Sequence, residues 1–222
     1  MQPIIKKTAL LLSASILSAG VSAGVIFSDN FNNESPTSSV TNYTSFDNWN
    51  VFHGSVDLVE AGTNSWFDPL LGDGFFVDLD GSTRSGGKIR TNTAFSFNAG
   101  QEYRLTFDLA GNNRNSETDS ARSIITTIGD GISGNPYVAE TISLAGNTDF
   151  TTYSFSFMGN GSSGRIIFNG DVGNLNYRDD NIGLLLDNIV LESIDVAEPE
   201  TLGLLSLGLL GLAMVRRKRA IL

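Results

Sequence analysis

An all-β sandwich of two facing sheets is what the sequence predicts, and three observations carry that prediction. Between residues 24 and 196 apolar residues alternate with period two instead of recurring at helical spacing. Clusters of Gly, Asn, Asp and Ser, such as "AGNNRNSETDS", "GDGISGNP" and "GNGSSG", punctuate the alternating runs and supply the positive φ angles and side-chain-capped turns that strand ends require. No segment of this stretch offers ten residues of helical periodicity.

The elements follow in order. Short candidate strands run from Val25 to Phe27, Trp49 to Phe52 and Ser55 to Val59. "FFVDLDGS" places Phe75, Val77 and Leu79 inward, with Asp78 and Asp80 outward. Gly87 to Thr91 is next. "QEYRLTFDLAGN" then sets Tyr103, Leu105, Phe107 and Leu109 on one face and Arg104, Thr106 and Asp108 on the other. Ile124 to Ile128 and Ala139 to Leu144 precede "TYSFSF", in which Tyr153, Phe155 and Phe157 point inward. Arg165 to Asn169 and Leu184 to Ile194 complete about ten strands, a number that fits a two-sheet β-sandwich.

Composition narrows the function. Of 14 Lys and Arg, setting aside Lys6, Lys7 and Arg216, Arg217, Lys218 and Arg219 leaves 8. Of 24 Asp and Glu, setting aside Glu198 and Glu200 leaves 22, so residues 24 to 196 carry a charge near −14 and repel nucleic acid. The acids are scattered among apolar residues, as on a folded acidic surface. With no Cys there is no disulfide framework, thiolate metal site or Cys nucleophile. The 173 residues of this stretch are enough to bury a core of their own.

The two ends read as addresses. Residues 1–23 carry Lys6 and Lys7, an apolar run from Thr8 to Leu17 and the small-residue signal Val21-Ser22-Ala23, the order of a secretory signal peptide cut by signal peptidase after Ala23. At the other end Leu202 to Val215 is uncharged and is followed by four cations. This run is shorter than the roughly 20 residues of a usual span. With snorkelling Arg and Lys it is expected to form a short transmembrane helix whose basic tail stays in the cytoplasm. Residues 197–222, with Glu198-Pro199, the apolar run and the Arg-rich end, resemble a PEP-CTERM sorting signal of Gram-negative bacteria, although Ala197 stands where that motif has its first Pro. The resemblance implies recognition by an exosortase, passage to the cell envelope, outer surface or extracellular matrix, and a transient inner-membrane anchor. An ordinary C-terminal anchor is the competing reading.

A second resemblance spans residues 26 to 194. "NWNVFHGSVDLVEAGTNSWFDPLLGDGFFVDLDGS", "GKIRTNTAFSFNAGQEYRLTFDLAGN" and "LLLDNIVLESI" follow one another as in the domain-of-unknown-function 642 family. This implies a galactose-binding-domain-like jelly roll for residues 24–196, an architecture common among carbohydrate-binding modules. It also implies a structural calcium joining the first and last strands, which nominates Asp29 and Asp187.

Candidate chemistry is sparse. His53 is the sole imidazole and sits beside Gly54 at a strand end, where a structural or exposed role outweighs catalysis. The one Gly-x-Ser-x-Gly, Gly20 to Gly24, falls in the leader and cannot be a nucleophile elbow. Sugar binding needs an aromatic plane and short polar side chains. Trp66 and Phe67, in the polar loop "GTNSWFDPLLGDG", are the lead candidates, with Tyr137 and Tyr177 behind them. A core-plugging Trp66 is the alternative, and Trp49 reads as core. "DVGNLNYRDDN" gathers acids and amides suited to calcium or merely to solvation. The expected function is therefore a non-catalytic, exported binder of polysaccharide, with a purely structural matrix protein as runner-up and a glycosidase third.

Overall fold

The computed structural model describes residues 23–62, 74–83, 85–114, 118–127, 136–170, 181–194 and 208–209. The expected leader up to residue 22 lies outside them. So does the expected C-terminal helix, apart from Gly208 and Leu209, which are helical. Among the described residues no helix is long and apolar enough to cross a membrane.

Twelve strands form the body: β1 (Ala23–Asp29), β2 (Trp49–His53), β3 (Asp57–Glu60), β4 (Phe75–Asp78), β5 (Lys88–Thr91), β6 (Phe95–Ser96), β7 (Glu102–Ala110), β8 (Thr118–Thr127), β9 (Val138–Ala145), β10 (Thr151–Met158), β11 (Ser163–Asn169) and β12 (Leu185–Ile194). They make two six-stranded sheets, the jelly-roll sandwich that was expected. One runs β10-β7-β12-β4-β3, with β1 also on β12, and the other β2-β5-β11-β8-β9, with β6 also on β11. Neighbouring strands pair antiparallel throughout.

Alternation explains most of this. In β7, Tyr103, Leu105, Phe107 and Leu109 are buried while the residues between them are half-buried. These side chains meet the opposite sheet, where Phe168 of β11 stands edge-on to Phe107 at 4.9 Å between ring centroids and also contacts Trp49 at 5.8 Å. Trp49 is a core residue, as expected, and its indole Nε1 donates to Asp29 Oδ2 at 2.8 Å.

Two expectations are corrected. Asp78, placed outward by alternation, is fully buried. Its neighbour Phe76 is buried too, in a second apolar cluster with Val59, Ala110 and Leu185, so β4 has no wet face. The polar run Thr118–Ser123, read as loop, is the first half of β8. Its pairing with β9, Thr118 opposite Ala145 and Ala121 opposite Ile142, supplies the order that composition does not suggest.

The sandwich has two distinct ends. Ala110, Ala145, Asn169 and Leu185 lie at the distal end, where the flanks of the two sheets are tied together by Gly87 N to Leu79 O and Asn113 N to Gly146 O. Glu102, Val138, Met158 and Ile194 lie at the other, where Gly159 N donates to Gln101 O and Phe97 N to Ser162 O. Ala23 is opposite Ile194, so both chain ends of the body leave from this terminal end.

Candidate functional site

Tyr137 is the one described aromatic among the sugar-binding candidates. It sits at the terminal end, just before β9, and its ring packs on Phe97 and Phe157 at centroid distances of 5.1 and 5.3 Å. Its hydroxyl donates to Asn160 Oδ1 and lies 3.1 Å from Ser162 O. Asn160 Oδ1 also accepts from Ser162 N, which shapes the turn between β10 and β11. Tyr137 is thus half-buried, with its inner side closing the core and its polar tip among short amide and hydroxyl groups. That pairing of an aromatic surface with adjustable hydrogen-bonding groups is what recognition of a sugar requires, on a small scale.

Trp66, Phe67 and Tyr177 lie outside the described residues. The described flanks of Tyr177, Gly170 and Asn181, belong to the distal end, because Gly170 is bonded to Gly87 and Asn181 O accepts from Arg114. Tyr137 leaves the terminal end. The strand ends that frame these two tyrosines are therefore on opposite ends of the sandwich.

The two residues of the proposed metal pair lie on adjacent strands, Asp29 on β1 and Asp187 on β12. β1 runs beside β12 with Asp29 opposite Ile189, and β12 has a register shift against β7 between Asp187 and Val190. Asn188, inside that shift, has φ of 50°, the left-handed conformation Asn tolerates best among non-Gly residues. Sequence reasoning did not single out Asp108, which lies directly opposite Asp187 on β7. Asn188 Nδ2 donates to Asp108 Oδ2 at 2.9 Å. Burial pushes the Asp187 carboxyl up to about 7, helped by repulsion from Asp108 and Asp29 and opposed by the Asn188 backbone N–H. Asp29 itself has both oxygens engaged: Oδ1 accepts from Phe31 N, and Oδ2 from Trp49 and Asn48. Among the described residues no group of three or more His, Cys, Asp or Glu is arranged to hold a metal ion.

Two further carboxyls are buried for structural reasons. Asp78 Oδ1 accepts from Asp80 N and Gly183 N, at 3.0 and 3.1 Å, while Oδ2 faces Arg114 Nη2 at 3.4 Å. Burial drives its carboxyl well above the usual range. Glu34 accepts from Tyr43 Oη at 3.1 Å and from Asp47 N, and burial raises it and pushes Tyr43 up to about 12. His53 is exposed at the end of β2, opposite Lys88.

Comparison with known proteins locates one signal in the sequence. Residues 195–219 match the PEP-CTERM protein-sorting motif. The tail is similar to such a sorting signal. No curated protein matches the chain. Among solved structures, the sandwich is similar to the CBM22-1–GH10 modules of the Clostridium thermocellum xylanase 10B complexed with xylohexaose, at 12% identity and a TM-score of 0.47 over 77% of this chain and 28% of that one. It is also similar to the CBM22-1 xylan-binding domain of Paenibacillus barcinonensis Xyn10C, at 12% identity and a TM-score of 0.45 over 81% of this chain and 100% of that one. A third is the K1 cleaved adhesin domain of Lys-gingipain from Porphyromonas gingivalis, at 15% identity and a TM-score of 0.45 over 80% and 99%. The likeness is one of overall shape at low identity and does not speak to what this chain binds.

Proposed function

We propose that this chain is an exported protein whose sandwich binds polysaccharide without cleaving it, after signal peptidase removes the leader and an exosortase acts on the tail at the envelope of an exopolysaccharide-making bacterium. The sorting motif at 195–219 is the observation that carries the address. The binding half rests on loop aromatics set among amides and hydroxyls: Tyr137 with Asn160 in the structure, and Trp66-Phe67 within "GTNSWFDPLLGDG" in the sequence. A glycan array probed with the purified protein tests it. Binding to one class of polysaccharide is the expected outcome, with Trp66→Ala weakening it roughly tenfold or more, as truncation of an aromatic anchor does. No binding to any glycan favours a purely structural matrix protein, and release of reducing sugar favours a glycosidase.

A structural calcium between Asp29 and Asp187 belongs to the same reading. The crowding of carboxylates at that seam supports it, and the three donors already held by Asp29 stand against it. EDTA decides: a lowered melting temperature, restored by calcium, is expected, and an unchanged one rejects the ion.

A further inference from the structure

Among the described residues of the sandwich the exposed large apolar side chains are Val25, Ile26 and Met158, at 62, 41 and 53% exposure. The strand register gathers all three at the terminal end. Met158 is opposite Glu102, Glu102 opposite Ile194, and Ile194 opposite Ala23, so β10, β7, β12 and β1 finish in one row. Phe157 and Tyr103 are buried in the core, so their neighbours Met158 and Glu102 face outward, together with Ile194. Val25, opposite Glu192, shares this outer face, and the register shift between Val25 and Phe27 leaves Ile26 outside the ladder.

Among the described residues the charged side chains beside this rim are Glu102, between Met158 and Ile194, and the Arg104–Glu192 ion pair next to Val25, in which the two charges offset each other. Exposed apolar side chains gathered at one edge suit a lipid surface better than bulk water.

Connectivity identifies the occupant. Seven residues, 195–201, separate Ile194 from the uncharged run that starts at Leu202, and they span at most about 24 Å when extended. The distal end lies a further strand length away, roughly 33 Å for the ten residues of β12. With the run held in a bilayer, the terminal end is the one that the linker keeps within reach of the lipid surface.

We infer that the rim formed by Val25, Ile26, Ile194 and Met158 rests on the lipid surface while the tail is membrane-anchored, which directs residues 79–83, 111–114 and 146–150 away from the membrane. The inference rests on the membrane anchoring in the functional reading above but is separable from it. Contact is apolar and therefore insensitive to salt. Asp195, Glu198 and Glu200 in and near the linker disfavour anionic lipid, so a zwitterionic surface is the better partner.

The chain has no cysteine, which makes site-specific labelling clean. Three single variants of the full chain, Ile26→Cys, Met158→Cys and, as a distal control, Asn147→Cys, are labelled with an environment-sensitive fluorophore. They are mixed with phosphatidylcholine vesicles containing spin-labelled lipid, and flotation is measured in parallel. Labels at positions 26 and 158 are expected to shift to the blue and lose intensity to the spin label, while position 147 does neither. Adding Val25→Asp to the Met158→Cys variant is expected to reverse the quenching at position 158 with flotation unchanged. A chain that floats while positions 26 and 158 behave like position 147 overturns the rim contact and leaves anchoring standing. A blue shift present without lipid and lost on dilution assigns the rim to a second copy of the chain and also overturns it. A chain that does not float removes the anchoring premise, and the inference falls with it.

Discussion

Asp187 lies where three strands meet, with Asp108 opposite it on β7 and Asp29 across the seam on β1. Its ordinary value is 3.8 and the fold raises it to about 7. Between those values the folded protein holds a proton that the unfolded chain has released, so stability declines as pH rises through this window and is highest below it. Asp187→Asn mimics the protonated carboxyl and keeps the Oδ1 that accepts from Asn188 N. In EDTA it should raise stability at about pH 8 by about 2 kcal/mol, roughly half of what such a shift is worth in a fully buried site, and by little at about pH 4. Urea denaturation at the two pH values checks this, and with calcium bound the sign reverses. Asp78 makes the opposite case. Removing its carboxylate in Asp78→Ala deprives Asp80 N, Gly183 N and Arg114 of their acceptor, and the expected loss is about 3 to 5 kcal/mol by denaturant midpoint. Neither role was legible in the sequence. Alternation placed Asp78 on a wet face, and nothing local shows that Arg114, 36 residues on, folds over it.

Among the elements, the strands that alternate strongly were read with boundaries close to those observed, because a half-buried strand writes its two faces into its own residues. β6 and the first half of β8 were not. Phe95–Ser96 is too short to show a period, and "TDSARS" is a strand because β9 and β11 lie beside it. The link between β2 and β3 shows how tightly one turn is held. Gly54 has φ of +58°, and a Cβ there would meet the Ser85 carbonyl oxygen at 2.5 Å and that of Gly86 closer still. Gly54→Ala should therefore cost about 2 kcal/mol or more, read as a lowered urea midpoint with an unchanged slope. The Gly-Ser pair after His53 marks a turn in the sequence, but the reason that only glycine fits is the approach of residues 85 and 86.

For the whole molecule, the strand order puts the first and last strands side by side, and this pairing decides where the two ends of the described body leave it. It also separates the candidate sugar-binding residues, since Tyr137 belongs to the end the chain leaves from and the flanks of Tyr177 belong to the other. The Trp66→Ala comparison on a glycan array tests the loop "GTNSWFDPLLGDG". What the sequence determined by itself is everything written in neighbouring residues: the two-faced strands, the turns between them, and the sorting motif at residues 195–219. What only tertiary structure decided is which residues face each other across strands, because the contacts that form the Asp187 seam, bury Asp78 and gather Val25 beside Ile194 join segments dozens to more than 160 residues apart. Period-two alternation is the same for any order of strands, so it carries no record of that pairing.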